Sequence, residues 1–163
     1  MCSSDLPEGV DGRDLLPLLA NPGARVREVL PLFNFWGILS AQSMAVVTPE
    51  WKYIYWYYAG DGMKPVEELF HVGRDRYELA TLASNPEYAS ELETMRRHYD
   101  AEVVAIREKV MKGHGHEQYP VLFDRNVGWE EKAPLLKALQ TRGGDGEEKG
   151  DGGGRRKKAK GET

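Results

Sequence analysis

The sequence predicts an α+β fold: a small antiparallel sheet packed by one long C-terminal helix and followed by a disordered tail. Three observations carry this. Short segments between residues 27 and 72 have strand composition and are separated by turn residues. One apolar stripe at helical spacing runs from Tyr88 to Val110. The end, GGDGEEKGDGGGRRKKAKGET, is Gly-rich and charged, with no apolar residue beyond Ala159, and cannot offset its ordering entropy by burial.

Taken in order, GVDGRDLLPLL holds a turn at Asp11-Gly12 and then a brief helical segment, stopped by Asn21-Pro22-Gly23. REVLPLFNF, Arg27 to Phe35, is a strand whose internal Pro31 suits an edge, because proline cannot donate to a ladder. QSMAVVT, Gln42 to Thr48, pairs as a hairpin with the aromatic run that follows, through a tight connection at Pro49-Glu50. VEELFHV, Val66 to Val72, is a further strand, and GRDR opens the turn after it. Ser84-Asn85-Pro86-Glu87 then starts a helix, with Ser84 as the cap, proline in the first turn and Glu87 three residues after the cap. Tyr88, Leu92, Met95, Tyr99, Val103, Ile106 and Val110 recur at steps of three and four over about seven turns. Lys109 and Lys112 suit the last turn, and Gly113 suits the stop. Beyond it lie a short extended piece at Val121 to Phe123 and a small helix from Trp129.

The chain has 163 residues, of which 40% are hydrophobic, which suits one small domain with extensions. A net charge of -4 argues against a domain built mainly to hold nucleic acid. No run of about 18 apolar residues exists to cross a membrane as a helix. The single cysteine, Cys2, excludes an internal disulfide. MCSSDLPEGVDGRD lacks the charged and apolar regions of a secretory signal and leads straight into structured sequence, so the chain reads as a fragment.

The stretch TPEWKYIYWYY poses a packing problem. As a strand it places Trp51, Tyr53, Tyr55 and Tyr57 on one face and Lys52, Ile54, Trp56 and Tyr58 on the other. Both faces are aromatic, and burying each such side chain is worth about 1.5–3 kcal/mol. One amphipathic helix covers one face. The expectation is that a missing partner covers the other; the alternative is that segments 33–38 and 119–129 fold back over it.

DGRDLLPLL, VVTPEWKYIYW and EELFHVGRDRYELATLASNPEYASELETMRRHYD follow one another in an order that resembles the C-terminal part of the sulfatase family. The family pattern runs Asp-Gly-x-Ser-Leu-x-Pro-Leu-Leu, then Thr-x-x-Trp/Tyr-Lys-Tyr-Ile, then Glu-Leu-Tyr-Asp-Leu-x-x-Asp-Pro-x-Glu-x-x-Asn-Leu-Ala. The similarity extends from Gly9 to Asp100 and more loosely to Trp129, with departures at Asp14, His71, Arg76 and Thr81. The resemblance implies an alkaline-phosphatase-like catalytic domain followed by a smaller sheet-and-helix subdomain. Residues 1–26 then read as the end of the catalytic domain, 27–142 as the subdomain and 143–163 as the tail. It further implies hydrolysis of a sulfate ester on a sulfated polysaccharide by an exported, periplasmic or extracellular enzyme.

The resemblance implies a formylglycine, made from Cys or Ser in Cys/Ser-x-Pro-x-Arg, and a calcium ion held by Asp and Asn groups. Neither is encoded here. Cys2 is followed by Ser3, Ser4 and Asp5, and Ser84-Asn85-Pro86-Glu87-Tyr88 has Tyr88 where the arginine belongs. No adjacent Asp pair or Asp-Asn step exists for calcium. Both cofactors and the catalytic residues are expected in the missing N-terminal catalytic domain, the partner of this chain. The substrate-binding candidates are Asn34, Trp36 and Gln42, since a Trp with two amides suits a sugar ring; Trp36 as a hinge or core aromatic is the competing reading.

HGHE, His114 to Glu117, brings two imidazoles and a carboxylate together, but no third and fourth ligand lies at zinc-site spacing, so a solvated loop is expected. RRKKAK, Arg155 to Lys160, lies among glycines and acidic residues and reads as a solubilising tail. Arg96 and Arg97 are expected in solvent or paired with Glu93 and Asp100. The rival to a sulfatase subdomain is a free-standing protein- or carbohydrate-binding module, the latter through Trp36, Trp51 and Trp56.

Overall fold

The computed structural model describes residues 12–35, 41–58, 63–110, 113 and 116–144. Strands β1 (Leu30–Asn34), β2 (Ala41–Val47), β3 (Trp51–Tyr58) and β4 (Val66–His71) form one antiparallel sheet in the order β1-β2-β3-β4. The helices are α1 (Leu16–Ala20), α2 (Ala89–Lys109), α3 (Tyr119–Leu122) and α4 (Trp129–Gly144), with a 3-10 turn at Pro86–Tyr88 leading into α2. The fold is α+β, as expected. The tail beyond Gly144 lies outside the described residues.

Local chemistry accounts for the elements. Pro31 sits in β1, an edge strand, the position in a sheet that tolerates proline because one side of it makes no ladder bonds. The β2–β3 connection closes through Thr48, whose N–H donates to the Trp51 carbonyl at 2.8 Å while its hydroxyl accepts from the Trp51 N–H at 3.1 Å. Asn21 ends α1: its N–H donates to the Pro17 carbonyl and its side chain accepts from the Gly23 N–H at 3.0 Å.

Three local expectations need correction. The cap before α2 is Asn85, not Ser84: its Oδ1 accepts from the Glu87 N–H at 3.0 Å. The piece at Val121 to Phe123 is not extended, because Tyr119 to Leu122 make a helical turn with Pro120 in its first turn, where a missing N–H costs nothing. The helix from Trp129 is longer than a small one and runs 16 residues with Pro134 inside it. α2 itself ends at Lys109, before Gly113, whose φ of +85° is the left-handed conformation that glycine adopts freely.

The chain folds as two compact units: 1–33 with 44–54 and 67–102, and 34–43 with 55–66 and 103–163. In the first, Tyr53 meets Tyr99 of α2 edge-on at 5.2 Å, and Met44, Val46, Leu69, Leu92 and Met95 are buried. In the second, Tyr57 packs on Phe123 at 5.6 Å, and Leu122, Leu136 and Val103 are buried.

The expectation that nothing but the long helix shelters the aromatic strand is overturned. Tyr53, Ile54, Tyr55 and Tyr57 are all buried, and Trp51 and Trp56 are half-buried. All of Gln42 to Val46 is buried too, so both faces of β2 are dry. The C-terminal segment shares with the long helix the covering of the Tyr53, Tyr55 and Tyr57 face, through Phe123 on Tyr57 and Lys132 on Tyr55. The apolar surface left open lies elsewhere. Leu30 and Leu32 on one face of β1, and Phe33 on the other, are exposed; in α1, Leu16 is 67% exposed and Leu19 82%.

Candidate functional site

Of the expected substrate-binding residues, Asn34 and Gln42 lie at the β1–β2 end of the sheet. Asn34 is the last residue of that strand and is half-buried. Trp36 lies outside the described residues. Gln42, at the start of β2, is only 2% exposed, and both ends of its amide are used: Nε2 donates to the Phe35 carbonyl at 3.0 Å, and Oε1 accepts from the Tyr57 hydroxyl at 2.5 Å. A buried glutamine needs such partners, since an unmet buried amide would cost several kcal/mol, roughly 2–7 by transfer scales. Gln42 therefore holds the backbone at Phe35, one residue before Trp36.

Around this bond lies an aromatic cluster. The Phe35 ring meets Tyr119 at 4.5 Å and Phe123 at 5.6 Å, and Tyr119 stacks on Phe123 at 5.8 Å. Burial, and then the neighbouring Tyr119, raises the Tyr57 phenol well above its ordinary range, so it is a proton donor to Gln42 at any physiological pH. His116 of the HGHE stretch stacks on Tyr119 at 5.9 Å; His114 is outside the described residues. Among the described residues no cluster of three or more His, Cys, Asp or Glu could hold a metal ion.

The same unit contains a group that was not anticipated. Lys132, in the first turns of α4, is 1% exposed. Its Nζ donates to the Tyr55 hydroxyl at 3.0 Å and lies 4.9 Å from that ring's centre. Desolvation lowers its pKa from 10.5 to about 8, with Asp124 opposing the shift. Glu130 and Glu131 beside it suggest a solvated helix start; the available signal was Leu136, four residues on and therefore on the same face.

The other unit has its own polar centre. Glu67 of β4 accepts from the Tyr53 hydroxyl at 2.5 Å and from Arg96 of α2, whose Nε lies 3.1 Å away and whose Nη2 completes a two-pronged pair. Arg96 is thus tied chiefly to the sheet, with Glu93 only at 3.9 Å, while Arg97 donates to Thr94. Trp51 touches His71 at 4.6 Å and Tyr88 at 5.7 Å. Trp51 lines one groove of about 270 Å³ with Thr48, Ser90, Glu91 and His98; its ring partners line another of about 350 Å³.

No protein-family model and no curated protein matches the chain. Solved structures do. One that it resembles is BT4656, determined in complex with its substrate D-glucosamine-2-N,6-O-disulfate, with a TM-score of 0.54 and 17% identity. The likeness is one of fold. It covers 64% of this chain and 22% of the other, so the chain spans less than a quarter of that protein's length.

Proposed function

We propose that the chain is the C-terminal subdomain of a sulfatase-type hydrolase acting on sulfated carbohydrate, with the catalytic residues, formylglycine and calcium on a preceding domain. One observation carries the reading: a chain with the sulfatase-like motif order shares its fold with 22% of a protein whose substrate is a disulfated glucosamine. The open apolar surface of α1 and β1 supports a neighbouring domain, because exposed leucines in such number mark interaction sites. In this reading Asn34 and Trp36 form part of the substrate-pocket wall, and Gln42 positions them through the Phe35 carbonyl.

The test is sulfate release from a glucosamine 6-sulfate substrate. The 163-residue chain is expected to release none, and the longer polypeptide read from its transcript to turn over. In that longer protein Trp36→Ala is expected to raise KM with kcat little changed, as loss of a contact shared by ground and transition states does. Turnover by the 163-residue chain alone would sink the proposal.

A further inference from the structure

The groove beside β4 is lined by His71, Arg74, Asp75, Leu79, Leu82 and Tyr88, and its volume of about 350 Å³ falls within the range of small-ligand sites. Its two charges differ in availability. The Asp75 carboxylate is turned into its own loop, where Oδ2 accepts from the Ala80 N–H at 3.0 Å. Backbone N–H groups of Ala80 and Leu79, and then of Glu78 and Tyr77, hold its pKa below the ordinary carboxylate value. Arg74 is exposed and has no ion pair among the described residues. Asp75 keeps its charge but spends its oxygens on backbone N–H groups, so Arg74 is the charged group of the pair with donors left over, in the fork shape suited to a planar or tetrahedral oxyanion.

The imidazole adds a second feature. Nδ1 of His71 is buried without a hydrogen-bond partner among the described residues. The ring is held by Trp51 on one side and by Gly73 on the other, where an added Cβ would lie 3.4 Å from Cε1. An unmet buried nitrogen costs about 1–3 kcal/mol. Leu79, Leu82 and the Tyr88 ring supply the apolar surface against which the carbon face of a sugar packs.

From this we propose that the His71–Arg74 groove binds an anionic sugar unit, its sulfate or carboxylate on Arg74 and its ring on the apolar wall. The groove would hold a further unit of the polymer. Its preference for an anion rests on the groove alone; the choice of a sulfated sugar rests on the function proposed above.

Amide spectra of the 163-residue chain test this with four probes: glucosamine 6-sulfate, glucuronic acid, N-acetylglucosamine and inorganic sulfate. Saturable shifts over residues 71–82 are expected with the sulfated sugar and none with the neutral one. Arg74→Ala, an exposed substitution, is expected to weaken binding about tenfold, the loss of one charge-assisted contact. Glucuronic acid binding where glucosamine 6-sulfate does not would sustain the anion groove and contradict the sulfated-sugar reading, so the two fail separately. Equal binding of N-acetylglucosamine, an unchanged affinity in Arg74→Ala, or inorganic sulfate binding as tightly as the sugar would overturn the site.

Discussion

β3 and β1 lie in one sheet and are both rich in apolar side chains, yet they meet opposite fates. Four β3 residues, Tyr53 to Tyr55 and Tyr57, are buried, and the Tyr53, Tyr55 and Tyr57 hydroxyls each have a partner, in Glu67, Lys132 and Gln42. β1 exposes Leu30, Leu32 and Phe33 and relies on one neighbouring strand. The contrast teaches that amount of apolar surface does not locate an interface. A strand with aromatic residues on both faces is covered by its own chain, whereas a proline-bearing edge strand of ordinary leucines is left open.

The sharpest way to break the contrast is at its dry end. Tyr57→Ala removes a buried ring and leaves the Gln42 amide short of a partner, and should destabilise the chain by about 3–5 kcal/mol in denaturant titrations. A loss below about 1 kcal/mol would mean the β3 cluster is not a packed core.

The next effect is electrostatic. The Lys132 pKa is depressed from 10.5 to about 8, so between those values the unfolded chain binds more protons and stability rises with pH. The gain is at most about 3 kcal/mol. Tyr57 acts in the other sense: its phenol is raised above the ordinary 10.0, so above about pH 10 the unfolded chain deprotonates first and stability falls. Unfolding free energy should therefore climb from pH 8 to about 10 and then turn over. Lys132→Met should flatten the climb; an unchanged slope would show that the lysine is solvated.

The smallest effect belongs to the open strand. Leu30→Ser with Leu32→Ser should shift the stability of the isolated chain by less than about 0.5 kcal/mol per site, as exposed substitutions do. A loss above about 2 kcal/mol would place these leucines inside a core of the chain itself.

How far these fates could be read from sequence follows from the range of each interaction. The strands and α2 were legible because alternation, helical periodicity and turn residues are local. The edge position of β1 followed from Pro31 alone. What escaped were pairings between distant residues: Glu67 with Arg96, and Tyr55 with Lys132. A lysine beside two glutamates looks solvated until a tyrosine far up the chain is brought to it. The segments that became α3 and α4 were also misjudged: Pro120 sits in the first turn of a helical piece expected to be extended, and Pro134 is accommodated within a helix longer than expected. At the candidate site, the commitment of Gln42 to Phe35 and Tyr57 escaped the sequence because it depends on the register of β2 against its neighbours.

Hydrogen exchange on α1 and β1, compared between the isolated chain and the longer protein proposed to contain it, tests the account most directly. Exchange in both elements should slow markedly in the longer protein while β3 amides stay as protected as before. Equal exchange at α1 and β1 in the two proteins, or new protection confined to β3, would contradict it.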